Sequence, residues 1–250
     1  MHRVKYLLIS AAWPAASFVI LIAVWQIAVQ MFHLEKVILP APMDVVIAIG
    51  HNFLSLVTAT GITMTEAILG FLAGSGGAFL LAVIFTHSRP IQRSVYPYAI
   101  ALKSTPLIAI APLLILWFGN GMLSKIVMSA MVAFFPVLVS SVSGLTAIDQ
   151  SMIDLLRSLS ASWPQTLIKV RIPNSLPYVF ASLKIASSMA VVGAVIGEFT
   201  GSMSGIGHLL TTSSYYLDTP VVFAGVLFIT LAGLLFFALV AILEKKVVSW

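Results

Sequence analysis

No cysteine occurs among the 250 residues, so disulfides, thiolate nucleophiles and cysteine-ligated metals are excluded. Charge is nearly as scarce, with 13 Lys and Arg, 8 Asp and Glu, and 8% charged residues in all. An ordinary soluble domain carries about 25%. So few charges cannot cover a water-soluble globule of this size, which removes soluble enzymes, secreted binding modules and nucleic-acid proteins from consideration. The five histidines, at positions 2, 33, 51, 87 and 208, form no i, i+4 pair, and no metal site is expected. What the chain has is apolar: 60% of it is hydrophobic. Its solvent is lipid.

Because a charge at mid-bilayer costs about 2.5 to 3.5 kcal/mol, the intervals between charges locate the spans. Six segments qualify, near 12–32, 64–86, 95–118, 125–146, 184–203 and 221–243. Each approaches the roughly 20 residues that a helix needs to cross the hydrocarbon. No segment alternates as a barrel strand does, so the expected class is all-α, one transmembrane domain over 1–250 with six helices. The first run follows His2, Arg3 and Lys5 like a secretion leader, but it is too long for one and is read as a retained span. Residues 44–58 place Val45, Ile49, Phe53 and Leu56 on one helical stripe, and an amphipathic helix on the outer surface is expected there.

The basic residues give the orientation. With the N-terminus inside, Arg3, Lys5, Arg89, Arg93, Arg157, Lys169, Arg171, Lys184, Lys245 and Lys246 fall on the cytoplasmic side. Lys36 and Lys125 fall outside, and Lys103 lies within the third span. Both termini are then cytoplasmic, and the net charge of +5 reflects membrane orientation.

Polar residues concentrate in one long inner loop, 147–183. Asp149 is expected to cap a helix over Gln150 to Leu159, with Ile153, Leu156 and Leu159 on one face. Ser162 is expected to cap a second helix starting at Trp163 and Pro164 and ending before Ile172-Pro173, with Pro173 and Pro177 breaking and restarting the chain.

This loop resembles the cytoplasmic motif of binding-protein-dependent ABC importer permeases: Glu-Ala-Ala, three residues, Gly, nine residues, Ile, any residue, Leu-Pro. Here the register is Asp154-Leu155-Leu156, Ser160, then Val170, Arg171 and Ile172-Pro173, with Ser160 in place of Gly. Ser resists the left-handed conformation that Gly takes freely, so the turn is where this chain departs from the pattern. Leu39-Pro40-Ala41-Pro42, Lys103-Ser104-Thr105-Pro106, the run Ala111 to Gly119, Phe134-Phe135-Pro136, Gly197-Glu198-Phe199, Gly205-Ile206-Gly207 and Glu244 to Trp250 are similar to the permeases of nitrate, sulfonate, taurine, riboflavin and thiamine-pyrimidine-precursor importers.

The resemblance implies a type I ABC importer permease fold with a cytoplasmic coupling helix-turn-helix, in the bacterial inner membrane. It implies a second permease copy, two ATPase subunits that bind ATP and Mg, and a periplasmic or lipid-anchored solute-binding protein. The chain contains no phosphate-cradling Gly-Lys-Ser/Thr loop, so it is expected to be no enzyme and to hold no cofactor of its own. Within the coupling loop, Leu155, Leu156, Ala161 and Trp163 would fill an ATPase groove, Asp154 and Arg157 would meet its rim, and Ser160, Ile172 and Pro173 would shape the element.

An acid in an apolar segment faces protein or water. Glu198 and Glu66 are therefore expected either to line or gate the path or to bond a neighbouring helix. Lys103 could suit an anionic solute or could pair with Glu198 or Glu66. Pro106 and Pro112 interrupt the third span, as prolines do in helices that line a path or pack tightly. Two alternatives stand beside the importer reading: a substrate-capturing membrane subunit of a vitamin uptake system, which would lack the motif loop, and an ion-coupled secondary transporter, which would need converging acids or an internal repeat.

Overall fold

The computed structural model of the chain describes residues 2–103 and 105–248. All regular structure among them is helical: α1 (His2–Met31), α2 (Pro42–His87), α3 (Arg89–Lys103), α4 (Leu107–Phe118), α5 (Met122–Thr146), α6 (Gln150–Ser158), α7 (Trp163–Thr166), a π-helical turn Leu167–Arg171, α8 (Ile172–Phe199), α9 (Ile206–Tyr215) and α10 (Thr219–Val247). Four stretches are long and apolar enough to cross a membrane: Pro42–His87, Met122–Thr146, Trp163–Phe199 and Thr219–Val247. Ala16–Met31 and Leu107–Phe118 are shorter apolar helices.

Three segments depart from the sequence expectations. The stretch expected as a separate amphipathic helix over 44–58 is the first part of the 46-residue α2, marked off only by a kink where Asn52 leaves helical geometry. There the Asn52 side chain donates to the Ala48 carbonyl, the kind of intrusion that bends a helix. The expected third span, 95–118, is two helices. Pro106 stands at the N-cap of α4 with extended backbone, and its ring denies the residue before it the helical region, so α3 cannot run on into α4. Helix α4 has 12 residues, about 18 Å, well short of a bilayer. Pro173 and Pro177, finally, do not restart the chain. The π turn directs the Ile172 N–H to the Leu167 carbonyl, five residues back, and this wider turn makes room for Pro173, while Pro177 lies within the continuing α8.

The chain divides into two compact units, Met1–Val57 with Leu209–Phe228, and Thr58–His208 with Ile229–Trp250. In the first, Trp25 meets Phe223 with ring centroids 5.6 Å apart, Thr219 donates to the Val37 carbonyl at 2.6 Å, and Lys36 pairs with Asp44 at 2.6 Å.

The second unit is built on α5, which packs along α8 and against the later part of α2. Buried Ala67, Phe71, Ala78, Ala133, Val137, Ala186, Ala190 and Ala194 form its core. Small residues let the backbones nearly touch: a Cβ on Gly193 would lie 2.8 Å from the Ser129 Cα, and one on Gly74 would overlap the Ala130 carbonyl. The fully buried Ser129 hydroxyl faces two carbonyls at this crossing, Ala190 at 2.9 Å and Ala67 at 3.3 Å. Close backbone approach and interhelical hydrogen bonds are what hold helices together in lipid, where apolar burial gives little. Helix α10 joins through Phe71 against Phe236, 5.1 Å between centroids, and Lys184 to Glu244 at 2.6 Å.

Candidate functional site

Two places in the second unit carry the sequence-predicted residues. The first is the polar loop. Asp149 occupies the N-cap of α6 through its backbone, without a side-chain capping bond. On α6, Met152 and Leu155 are exposed, and Leu159 follows them on the same side at 69% exposure. Asp154 accepts from Gln150 at 3.1 Å and from Arg157 at 3.3 Å, so these polar groups face each other along one exposed flank. The helix ends in a left-handed turn: Ser160 has φ +54°, its N–H reaches the Arg157 carbonyl at 2.9 Å, and Ala161 N–H reaches that of Leu156 at 3.0 Å. This paired pattern is the Schellman motif, with Ser where glycine is usual. Gln165 accepts from the Ser162 N–H at 2.8 Å and fixes the start of α7.

The loop is braced to the helices behind it. Arg171 donates to the Leu145 carbonyl at 2.8 Å and Asn174 to that of Ala147 at 2.8 Å, satisfying the open end of α5. Trp163 packs edge-on against His87 at the end of α2, centroids 4.4 Å apart. Ile172 and Pro173 are half-buried where the π turn passes into α8.

The second place is a buried polar cluster. Glu66 of α2 and Glu198 of α8, 2% and 1% exposed, lie close together. Glu198 Oε1 accepts from the Thr63 hydroxyl at 2.7 Å and Oε2 from the Gly207 N–H at 2.6 Å. Thr63 Oγ1 in turn accepts from the Ile206 N–H at 2.8 Å. Lys125, fully buried at the start of α5, is the cation near both acids, and its Nζ donates to the Asn120 carbonyl at 2.5 Å. Two glycines make room: a Cβ on Gly197 would lie 3.2 Å from the Lys125 stem, and Gly205, at φ +92°, passes so close to the Glu198 carboxylate that any Cβ would overlap it.

Residues 69–249 match the model of the family described as "Binding-protein-dependent transport system inner membrane component". The chain belongs to this family. It is similar to a putative aliphatic sulfonates transport permease of Bacillus subtilis (31% identity, 92% of this chain and 84% of that one). A riboflavin transport system permease of Chloroflexus aurantiacus is 30% identical, over 95% of this chain and 91% of its own. A formylaminopyrimidine transport permease of Halalkalibacterium halodurans is 29% identical, over 95% of each chain. Among solved structures, an inward-facing crystal form of the MetNI methionine ABC transporter shares the fold, with a TM-score of 0.68 at 18% identity, covering 78% of this chain and 97% of that one. The protein is thus a multi-pass ABC importer permease component. It is not itself an enzyme, since ATP hydrolysis in such systems belongs to a separate subunit.

In this permease Glu66 and Glu198 come together, a pairing absent from the sequence expectations, and the cation near them is Lys125. Lys103, expected either to suit an anionic solute or to pair with one of these acids, closes α3, and its side chain lies outside the described residues. Pro106 and Pro112 are exposed on and before α4. Lys125, expected outside, is buried within the protein at the start of α5. The signal that could have found it is local: Gly119, Gly121 and Ser124 surround it, and no other charge lies between Lys103 and Asp149.

Ser160 gives a direct prediction. A left-handed L-residue costs about 1–2 kcal/mol, partly offset because glycine loses more backbone entropy on folding. Ser160→Gly is expected to stabilise the turn by roughly 0.5–1 kcal/mol, slowing proteolytic nicking between α6 and α7 severalfold. Faster nicking would show that the serine makes a compensating contact.

Proposed function

We propose that this permease forms the translocation path of an ATP-driven importer for a small polar or anionic nutrient, of the sulfonate, nitrate, riboflavin or thiamine-pyrimidine-precursor class. Two copies pair, two ATPase subunits bind ATP and Mg beneath them, and an outer binding protein delivers solute. Both termini and the α6–α7 loop face the cytoplasm. The apolar side of α6 and the Ser160 turn seat in the ATPase, with Asp154, Leu155, Leu156, Arg157, Ala161 and Trp163 at the contact. Closure of the ATP-bound pair then swings the helices between inward-facing and outward-facing states.

The observation that carries this reading is the brace. An exposed apolar face on α6, which water alone does not favour, leads through the Ser160 turn into α7, and Arg171, Asn174 and Trp163 tie the chain beyond that turn to the ends of α5 and α2. A push on α6 is passed through the bonded Ser160 turn to the braced start of α8. Lever action needs that rigidity.

The test is to tag the C-terminus, purify the permease from native membranes in mild detergent, and determine partners and stoichiometry by mass spectrometry. Two permeases with two ATPase copies are expected. Recovery of the chain alone, or as one copy with a different large membrane partner, would overturn the proposal.

A further inference from the structure

The hydrogen bonds around Glu198 form a closed ring through three helices. The Thr63 hydroxyl donates from α2 to Glu198 on α8 and accepts from Ile206 at the start of α9, while Gly207, the next residue of α9, donates to the other Glu198 oxygen. Both oxygens of one buried carboxylate are thereby engaged from different elements, and two N–H groups at the first turn of α9 are satisfied by side chains distant in sequence.

What this ring holds is a short segment, Thr200–Gly205. Its ends are glycines in conformations that other residues rarely adopt, Gly201 at φ +153° and Gly205 at φ +92°. Between them Ser202 and Ser204 bond only each other's loop atoms, apart from the Ser202 N–H to the Glu198 carbonyl, and Met203 is 85% exposed. From Gly205 onward, Gly205, Ile206 and Gly207 are buried. The segment also passes the Gly119–Asn120 turn, where a Cβ on Gly201 would lie 3.8 Å from Asn120 Oδ1. Asn120 is the residue whose carbonyl holds Lys125. A small loop, self-bonded, hinged on glycines and tied down at one polar point has the makings of an element with two positions.

We propose that Thr63 and Glu198 are positioning residues for transport: they latch the Thr200–Gly205 segment shut, and release of this latch is a step of the transport cycle. This rests on the importer reading above and adds to it a moving part within the permease. Neither side chain needs to touch the solute. Glu198 serves because a carboxylate alone can accept from both sides at once, and Gly205 because only glycine lets the chain close over it.

Hydrogen exchange on the complete transporter in nanodiscs tests the proposal. The Ile206 and Gly207 amides are followed without nucleotide and with ATP and Mg trapped by vanadate. In the wild type, their exchange is expected to differ at least tenfold between the two states. Thr63→Val is expected to raise exchange without nucleotide to the faster level and to lower transport at least fivefold while ATP hydrolysis continues. Thr63→Ser, which keeps the hydroxyl, is expected to restore both. Equal protection in the two states would overturn the latch, as would a Thr63→Val variant whose exchange rises while transport stays at the wild-type rate. A merely structural threonine would lower hydrolysis and transport together. Failure of the importer reading shows separately, as absence of ATP-dependent uptake by the wild type. In that event Thr63→Val still reports on the latch, and unchanged exchange at Ile206 and Gly207 would overturn it.

Discussion

An Ala161→Arg permease is expected to insert and fold normally yet transport at less than a tenth of the wild-type rate. Ala161 follows the left-handed Ser160 at the apex of the α6–α7 turn and is half-buried. Its backbone N–H bonds the Leu156 carbonyl, and that bond survives any side chain. Exposed turns of this kind tolerate substitution within about 0.5 kcal/mol. In the proposed complex the same apex enters an ATPase groove beside Leu155 and Leu159. A guanidinium there loses water without gaining a partner, and a lost central contact in an interface costs about 2 kcal/mol or more. ATP hydrolysis by the complex, solute uptake and ATPase retention on purification should therefore fall together, while Ala161→Ser leaves all three unchanged. Wild-type uptake by Ala161→Arg would remove the turn from the coupling surface.

The larger effect on the permease itself is expected from Lys125→Met. Methionine matches the lysine stem in length and apolar character, so the passage along Gly197 stays filled. What disappears is the buried cation near Glu66 and Glu198. Removing one member of a buried ionic group typically costs about 3–5 kcal/mol, because the charge left behind has no compensation. For a chain of this size, that corresponds to a fall of at least ~6 °C in the melting temperature of the detergent-solubilised permease. Adding Glu66→Gln to Lys125→Met should recover part of the loss, since it removes one of the two stranded acids. That non-additivity is the signature of a shared site. An unchanged melting temperature in Lys125→Met would mean that the lysine matters only to the Asn120 turn.

These residues mark what the sequence made legible and what it hid. Scarcity of charge identified the solvent, and the 147–183 loop stood out because polar residues had nowhere else to collect. The turn at Ser160 could be foreseen from the register, since a small residue sits where the chain reverses. Lys125 escaped notice because it stands at the edge of an expected span, where a basic residue ordinarily marks the end of a helix. Its burial rests on Asn120, five residues earlier, and on acids about 60 and 73 residues away in sequence, and only the acids lie beyond a local window. The prolines misled in both directions. Pro106 ended a helix where a kink was expected, and Pro173 sits within a continuous one because the preceding π turn, invisible to periodicity, makes space for its ring. The unity of α2 was missed because Asn52 looks like loop chemistry, although its side chain bonds back onto its own helix.

The Ser129 crossing has a consequence for motion. One hydroxyl lies between carbonyls of α2 and α8, at the level where Gly70, Gly74 and Gly193 bring both backbones against α5. Sliding any of these helices past another would strand that hydroxyl in an apolar interior and drive backbone atoms into each other. The three therefore turn as one piece, like a key in which the shaft cannot twist. Shape change in this unit is confined to what lies at the margins of the block: the break at Pro106, the α6–α7 arm and the glycine-hinged segment beyond Glu198.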